Sequence, residues 1–355
     1  MFEFNNNKLT DIYNSSNSTI QSPPDFPDMF RIGGLVFDRY NNLWMTNSHA
    51  QKAISIKSPD GSWNSLEFPG INSDNIILED IIITQNNHKW LIVDGEGIFV
   101  FDEKNTFTDP NDDEYKKFSI IDENNQTITN EVYSVTEDIR GNIWAGTDKG
   151  VVVYYNPENV FSGNNFFAHR PIISKNDDIA YLLEKEKITS IVIDGANRKW
   201  IGTENAGVSL ISEDGTEEIY NFTSENSPLI SNYITSIVID NKTGEVFLGT
   251  DKGIMSYKSN ATKADDNFKN VYVYPNPIRN NFEGEITISG LLYETNIKIS
   301  DIEGNILYET TSNGGQATWN GKNSNGKRVS TGVYLVFCSS KDGKKSHVTK
   351  LLFIN

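Results

Sequence analysis

At 355 residues the chain is longer than one hydrophobic core usually fills, so at least two domains are expected. Its aromatic share of 11% and its short runs of Ile, Val, Tyr and Phe favour strands, and no apolar run of 18 residues exists to cross a membrane as a helix. The net charge of −17 is uneven: residues 1–270 carry −19 and residues 271–355 carry +2, so the acidic body disfavours nucleic acid, which binds through phosphate neutralisation.

The N-terminus, MFEFNNNKLT, has neither the basic nor the apolar region of a signal peptide. Residues 1–30 read as a remnant of a preceding blade, with Met1–Tyr13 as its outer strand, followed by a linker containing SNSTIQSPPDFP.

Residues 31–258 hold a repeat. Aromatic markers stand at Trp44, Trp90, Trp144, Trp200 and Phe247, spaced by 46, 54, 56 and 47 residues, about one four-stranded propeller blade per unit. Each unit opens on a β-branched strand such as Ile188–Ile193 and turns at Asp and Gly or Asn. It continues through the marker strand and closes a tight hairpin such as Thr147-Asp148-Lys149-Gly150. The markers lie mid-strand between apolar neighbours and are expected to pack between blades. Asp38, Asp138, Asp194 and Asp240 recur at one position and read as turn residues, not as a carboxylate ring. The phrases ITSIVIDGANRKWIGTENAGV and VYSVTEDIRGNIWAGTDKGV resemble the two-component regulator propeller repeat. That resemblance implies a β-propeller and leaves function open. Members of that family carry more blades and a signal peptide, so the chain is expected to be the C-terminal part of a longer protein.

Residues 259–270 are polar and read as a linker. From Val271 the pattern changes to seven short strands with Gly and Asn turns, which predicts an Ig-like β-sandwich over 271–355. The single cysteine, Cys338, falls in one of these strands and reads as a buried thiol. VYVYPNP, IKISDIEGNILYE, STGVYLV and the terminal HVTKLLFIN resemble the C-terminal sorting domain of type IX secretion proteins. With the blades before it, the stretch GGQATWNGKNSNGKRVSTGVYLVFCSS resembles a surface component of the secretion machine itself. The resemblance implies a place on the outer-membrane surface, partnership with the sortase and attachment complex, and delivery of anionic lipopolysaccharide for cargo anchoring. The alternatives are a secreted propeller cargo whose C-terminal domain is cleaved, and a glycan-sensing ectodomain.

No catalytic motif stands out. The four histidines have no metal-ligand spacing, and no Gly-x-Ser-x-Gly elbow or phosphate loop is present. No catalytic residue, no metal and no cofactor are expected; the alternative is a Ca²⁺ reading of the acidic groups Asp109, Asp112, Asp113 and Glu114, and Asp265 with Asp266. Trp63 and Trp319 differ from the markers in lying beside polar, Gly-containing turns, where an exposed ligand-stacking role is the alternative to packing. Lys322, Lys327 and Arg328 cluster in one turn-rich segment, so Trp319, Lys322, Lys327 and Arg328 form the candidate ligand-binding set, an anion patch with a stacking ring.

Overall fold

The computed structural model describes all residues except 24, 25, 27, 28, 163–165, 176, 177 and 355, so part of the N-terminal linker lies outside the described residues. The chain is all-β. Among the described residues helix is limited to two 3-10 turns, Pro157–Val160 and Phe268–Asn270. The chain divides into two compact units. One comprises residues 1–191 with 202–206, the other residues 192–201 with 207–355. The division passes through the fourth repeat and groups the fifth with the C-terminal domain, whereas the composition shift suggested a break near residue 270.

In the first unit, antiparallel four-stranded blades form from Ile32–Phe37, Leu43–Asn47, Ile54–Lys57 and Trp63–Leu66, and from Leu78–Ile83, Lys89–Val93, Gly97–Asp102 and Glu114–Phe118. The third blade has three strands, Val132–Glu137, Ile143–Thr147 and Gly150–Tyr154, with a single bridge from Val153 to His169 in place of the fourth. The fourth repeat contributes the strands Ile188–Ile193, Lys199–Thr203, Val208–Ile211 and Glu218–Phe222. The fifth, in the second unit, has three, Ile234–Asp240, Glu245–Thr250 and Gly253–Lys258. Four strands throughout was the expectation. Among the described residues the third and fifth units fall short of it, and in the third the chain returns to the sheet only by the bridge at His169.

The N-terminal segment is a two-stranded hairpin, Phe2–Asn5 with Lys8–Ile12, and not one outer strand. It is tied to the first blade by the Glu3–Lys57 ion pair at 2.8 Å and by Tyr13 against Trp63, ring centroids 5.2 Å apart. Trp63 is therefore half-buried and not a free platform.

Trp44, Trp90, Trp144 and Trp200 are each buried. Trp44 packs with Leu78, Ile81 and Leu91 of the next repeat, Trp90 with Val132 and Val135, and Trp200 with Ile234, Ile237 and Leu248. Gly146 makes room for the neighbouring repeat, since a Cβ there would stand 2.5 Å from Ile188 Cγ2. Phe247 departs from the pattern. It holds the marker register, opposite Val238 and Ser256, yet it is 40% exposed.

The turn aspartates explain why the strands start where they do. Asp38 Oδ1 accepts the backbone N–H groups of Tyr40 and Asn42, while Oδ2 accepts from Asn42 Nδ2 and from Trp44 Nε1 at 3.0 Å. Asp138 repeats the arrangement with Arg140, Asn142 and Trp144. In the fourth repeat Arg198 stands where these turns have Asn, and its guanidinium takes the Asp194 carboxylate at 2.8 Å. Trp200 Nε1 then has no hydrogen-bond partner among the described residues.

Residues 259–270 do not behave as a solvated linker. Ser259, Ala261, Thr262 and Phe268 are buried. Thr262 forms a parallel bridge with Gly314, whose φ of +62° and whose Cβ position, 2.1 Å from Thr262 O, both require glycine. The sandwich that follows has two sheets. One comprises Tyr272–Tyr274, Ile286–Ser289 and Gln316–Trp319. The other comprises Ile278–Arg279, Ser346–Ile354, Gly332–Ser339, Asn296–Ser300 and Ile306–Thr311 in that order. Leu351 and Phe353 of the terminal strand enter the core alongside Trp319, Val336 and Cys338. Burial pushes the Cys338 thiol up to about 12, so it is an inert packing group.

Candidate functional site

The strand Gln316–Trp319 leads into a tight loop. Asn323 N–H donates to Lys327 O, and Asn323 Oδ1 accepts from the N–H groups of Asn325 and Lys327. A bridge between Lys322 and Arg328 closes the hairpin, so the three basic residues do share one loop. They do not share one role. Lys322 and Lys327 are exposed, whereas Arg328 is half-buried. Its Nη2 donates to Phe282 O at 3.0 Å and Arg279 O at 3.4 Å, and its guanidinium lies 5.6 Å from the Phe353 ring centroid. Arg328 ties the loop to the sandwich.

Trp319 is not an exposed ring. It is fully buried, with Phe353, Tyr308 and Tyr334 around it at centroid distances of 5.6, 6.1 and 6.4 Å. Its Nε1 donates to Lys322 O at 2.7 Å. The polar residues Asn320 and Gly321 suggested exposure, but strand alternation puts Ala317 and Trp319 on the inward face. Trp319 shapes the basic loop from within and offers no face to a ligand.

The acidic groups do not converge. Asp112 accepts from Thr106 Oγ1, Asp109 accepts from Asn111, and Glu114 pairs with Lys104. Among the described residues no group of three or more His, Cys, Asp or Glu side chains is placed to hold a metal ion. Asp113 is the exception electrostatically. Burial, and then the carboxylates of Asp112, Glu103, Asp109 and Asp102, push its carboxyl up to about 6, and its Oδ1 is buried without a hydrogen bond. A raised carboxyl pKa favours the protonated fold. The stability it contributes is full below the ordinary value of 3.8 and is lost as pH rises through about 6. Asp113→Asn is therefore expected to melt higher than the parent at pH 7.5, by about 1–2 kcal/mol after allowing for partial exposure, with the gap closing at pH 4. Melting curves at the two pH values check this, and a gap that widens at pH 4 contradicts it.

Two features escaped the sequence reading. The first is a pair of buried lysines. Lys89, directly before Trp90, is fully buried, pairs with Glu103, and lies 4.5 Å from the Trp44 ring centroid. Lys199, directly before Trp200, is also fully buried and donates to Asn197 O at 2.8 Å and to Glu213 O at 2.5 Å. In both repeats a glutamate follows the lysine by 14 residues, a signal available in the sequence. The second is a polar cleft of about 490 Å³ in the second unit, lined by Lys242, Lys263, Asp265, Asp266 and Tyr272 among others. Tyr272 stacks on Tyr274 at its edge, and both rings are exposed.

Repeats of buried tryptophans capped by aspartate turns, followed by a two-sheet terminal domain, define the class. Residues 272–354 match the secretion system C-terminal sorting domain, and residues 128–149 match the two component regulator propeller repeat. The chain is a propeller-repeat protein with a secretion sorting domain, the equipment of a cell-surface or secreted protein. It is PorZ-like. PorZ, described as an essential bacterial surface component of the type IX secretion system of Porphyromonas gingivalis, is 30% identical, with a TM-score of 0.69. The alignment covers all of this chain and 48% of PorZ, so the chain spans about half the length of that protein. The extracellular domain of BT3049, described as a hybrid two-component system of B. thetaiotaomicron, is 14% identical at a TM-score of 0.46, covering 92% of this chain and 56% of that one. Virginiamycin B lyase from Staphylococcus aureus is 12% identical at a TM-score of 0.42, covering 90% and 94%. No match was found among curated protein sequences.

Proposed function

We propose that this chain is a non-catalytic component of a type IX secretion system at the outer-membrane surface, which supports the sortase complex and presents anionic lipopolysaccharide for cargo anchoring. The observation that carries the reading is the likeness to PorZ across the entire chain, propeller repeats and sorting domain together. The competing reading, a cargo that sheds its sorting domain, needs an accessible junction. Here the junction is built in, with Ala261, Thr262 and Phe268 buried.

For an anionic glycan the propeller repeats repel at long range, since residues 1–270 carry −19. Contact then falls on the C-terminal domain. With Trp319 buried and Arg328 engaged, the exposed charges of that loop are Lys322 and Lys327. Binding of purified anionic lipopolysaccharide is expected to weaken about tenfold in the Lys322→Glu/Lys327→Glu double variant. It should also weaken with added salt in the parent, because exposed charges are screened within about 8–10 Å. Titration by biolayer interferometry checks this, and unchanged affinity in the double variant sinks the site.

A further inference from the structure

The three-stranded sheet of the sandwich has two unlike faces. Strand alternation turns Val273, Ile288 and Ala317 into the core. The opposite face carries two rows across the register, Tyr272–Ser289–Gln316 and Tyr274–Thr287–Thr318. Each of these side chains carries a phenol, a hydroxyl or an amide. Tyr272 and Tyr274 are 54% and 44% exposed and stack with ring centroids 5.7 Å apart. Tyr272 and Ser289 line one side of the polar cleft of about 490 Å³.

The segment 262–265 supplies another side, and its backbone is laced to both neighbours. Lys263 N–H donates to Asn241 O at 2.9 Å, Asp265 N–H to Leu291 O at 2.8 Å, and Gly315 N–H to Thr262 O at 2.8 Å. The side chains are left free. Lys242, Lys263, Asp265, Asp266 and Asn270 line the cleft, and among the described residues their side chains make no hydrogen bond or ion pair. Two carboxylates and two ammonium groups thus border one cleft without pairing to each other.

We propose that this cleft binds a short uncharged oligosaccharide, one sugar ring lying against Tyr272 and the hydroxyls meeting Asp265, Asp266 and Asn270. A sugar ring has an apolar C–H face and a polar rim, which matches an exposed aromatic ring beside unpaired polar groups. A carboxylate offers two acceptor oxygens to neighbouring hydroxyls, an amide donates and accepts, and an ammonium donates, so the lining serves hydroxyls in both roles. The two lysines and two aspartates sum to zero charge, so the cleft exerts no long-range pull on an anion. Its volume falls within the range of small-molecule sites, about 300–1,000 Å³. The fixed backbone of 262–265 keeps the ordering cost of binding low. The inference does not rest on the secretion reading, and its site is distinct from Lys322 and Lys327.

Isothermal titration calorimetry on the 355-residue chain tests it, with cellotriose, maltotriose, mannotriose and chitotriose as probes. At least one is expected to bind with a dissociation constant of about 1 mM or tighter. About 1 M NaCl should leave that affinity unchanged, because an uncharged ligand has no charge to screen. Tyr272→Ala is expected to weaken binding about tenfold, whereas Tyr272→Phe keeps the ring and stays within about twofold of the parent. Asp265→Ala/Asp266→Ala is expected to abolish measurable binding, with circular dichroism confirming the fold. Asp266→Ala alone, at the more exposed position, replaces the double variant if that one unfolds. The proposal is overturned if no probe binds at about 10 mM, if Tyr272→Phe is as damaging as Tyr272→Ala, or if the zwitterionic tripeptide Lys-Gly-Asp binds in place of the sugars.

Discussion

Trp200→Ala is expected to destabilise the protein by about 3–5 kcal/mol, the range for truncating a large, fully buried aromatic. The ring sits among Val208, Leu229, Ile234, Ile237 and Leu248, and stacks on Phe222 with centroids 6.1 Å apart. Its indole N–H has no hydrogen-bond partner among the described residues, so almost all of the loss is packing. Phe247→Ala supplies the contrast. It occupies the same register position, yet it is 40% exposed and is expected to cost less than about 1 kcal/mol. Urea denaturation of the two variants compares them directly. A Trp200→Ala loss below about 1 kcal/mol would contradict the inter-repeat packing assigned to that ring.

Glu103→Ala is expected to cost about as much for a different reason. Lys89 Nζ is wholly buried, pairs with the Glu103 carboxylate, and lies over the Trp44 ring. Burial already pulls the Lys89 pKa below its ordinary value, with Glu103 opposing that pull. Removing the carboxylate leaves an ammonium in the core without its counter-charge, typically about 3–5 kcal/mol. Replacing both partners, as Lys89→Met with Glu103→Leu, is expected to be close to neutral, because the pair's Coulomb gain and its desolvation penalty nearly cancel. A single variant as stable as the parent, or a double variant as damaged as the single, would show that the pair is not the buried ion pair described.

The repeats were legible because each level of the sequence agreed. The marker spacing, the β-branched strand before it and the Asp-containing turn all pointed to one blade. At Asp38 and Asp138 a single carboxylate binds the turn and the marker indole together, so the spacing of six residues from Asp to Trp carries structural information. Phe247 was legible as a marker but not as an exposed one, because exposure depends on what stands beyond the fifth repeat. Trp319 was misread for a related reason. Its polar neighbours belong to the loop that follows, while strand alternation turns the ring inward. The junction 259–270 looked like a linker by composition. Its burial comes from backbone bridging to Gly314, a tertiary contact that polarity does not announce. Arg328 reads as a surface cation in any local window, and only the carbonyls of Arg279 and Phe282, more than 40 residues earlier, show it to be a tie.

The claim that this chain works as a retained surface component, and not as a cargo, is tested most directly by mass spectrometry of the protein isolated from the outer membrane of its own cells. The account predicts peptides from 271–354 in the mature protein, recovered together with the sortase complex. A mature protein that ends before residue 271 and carries no sortase partner would contradict it.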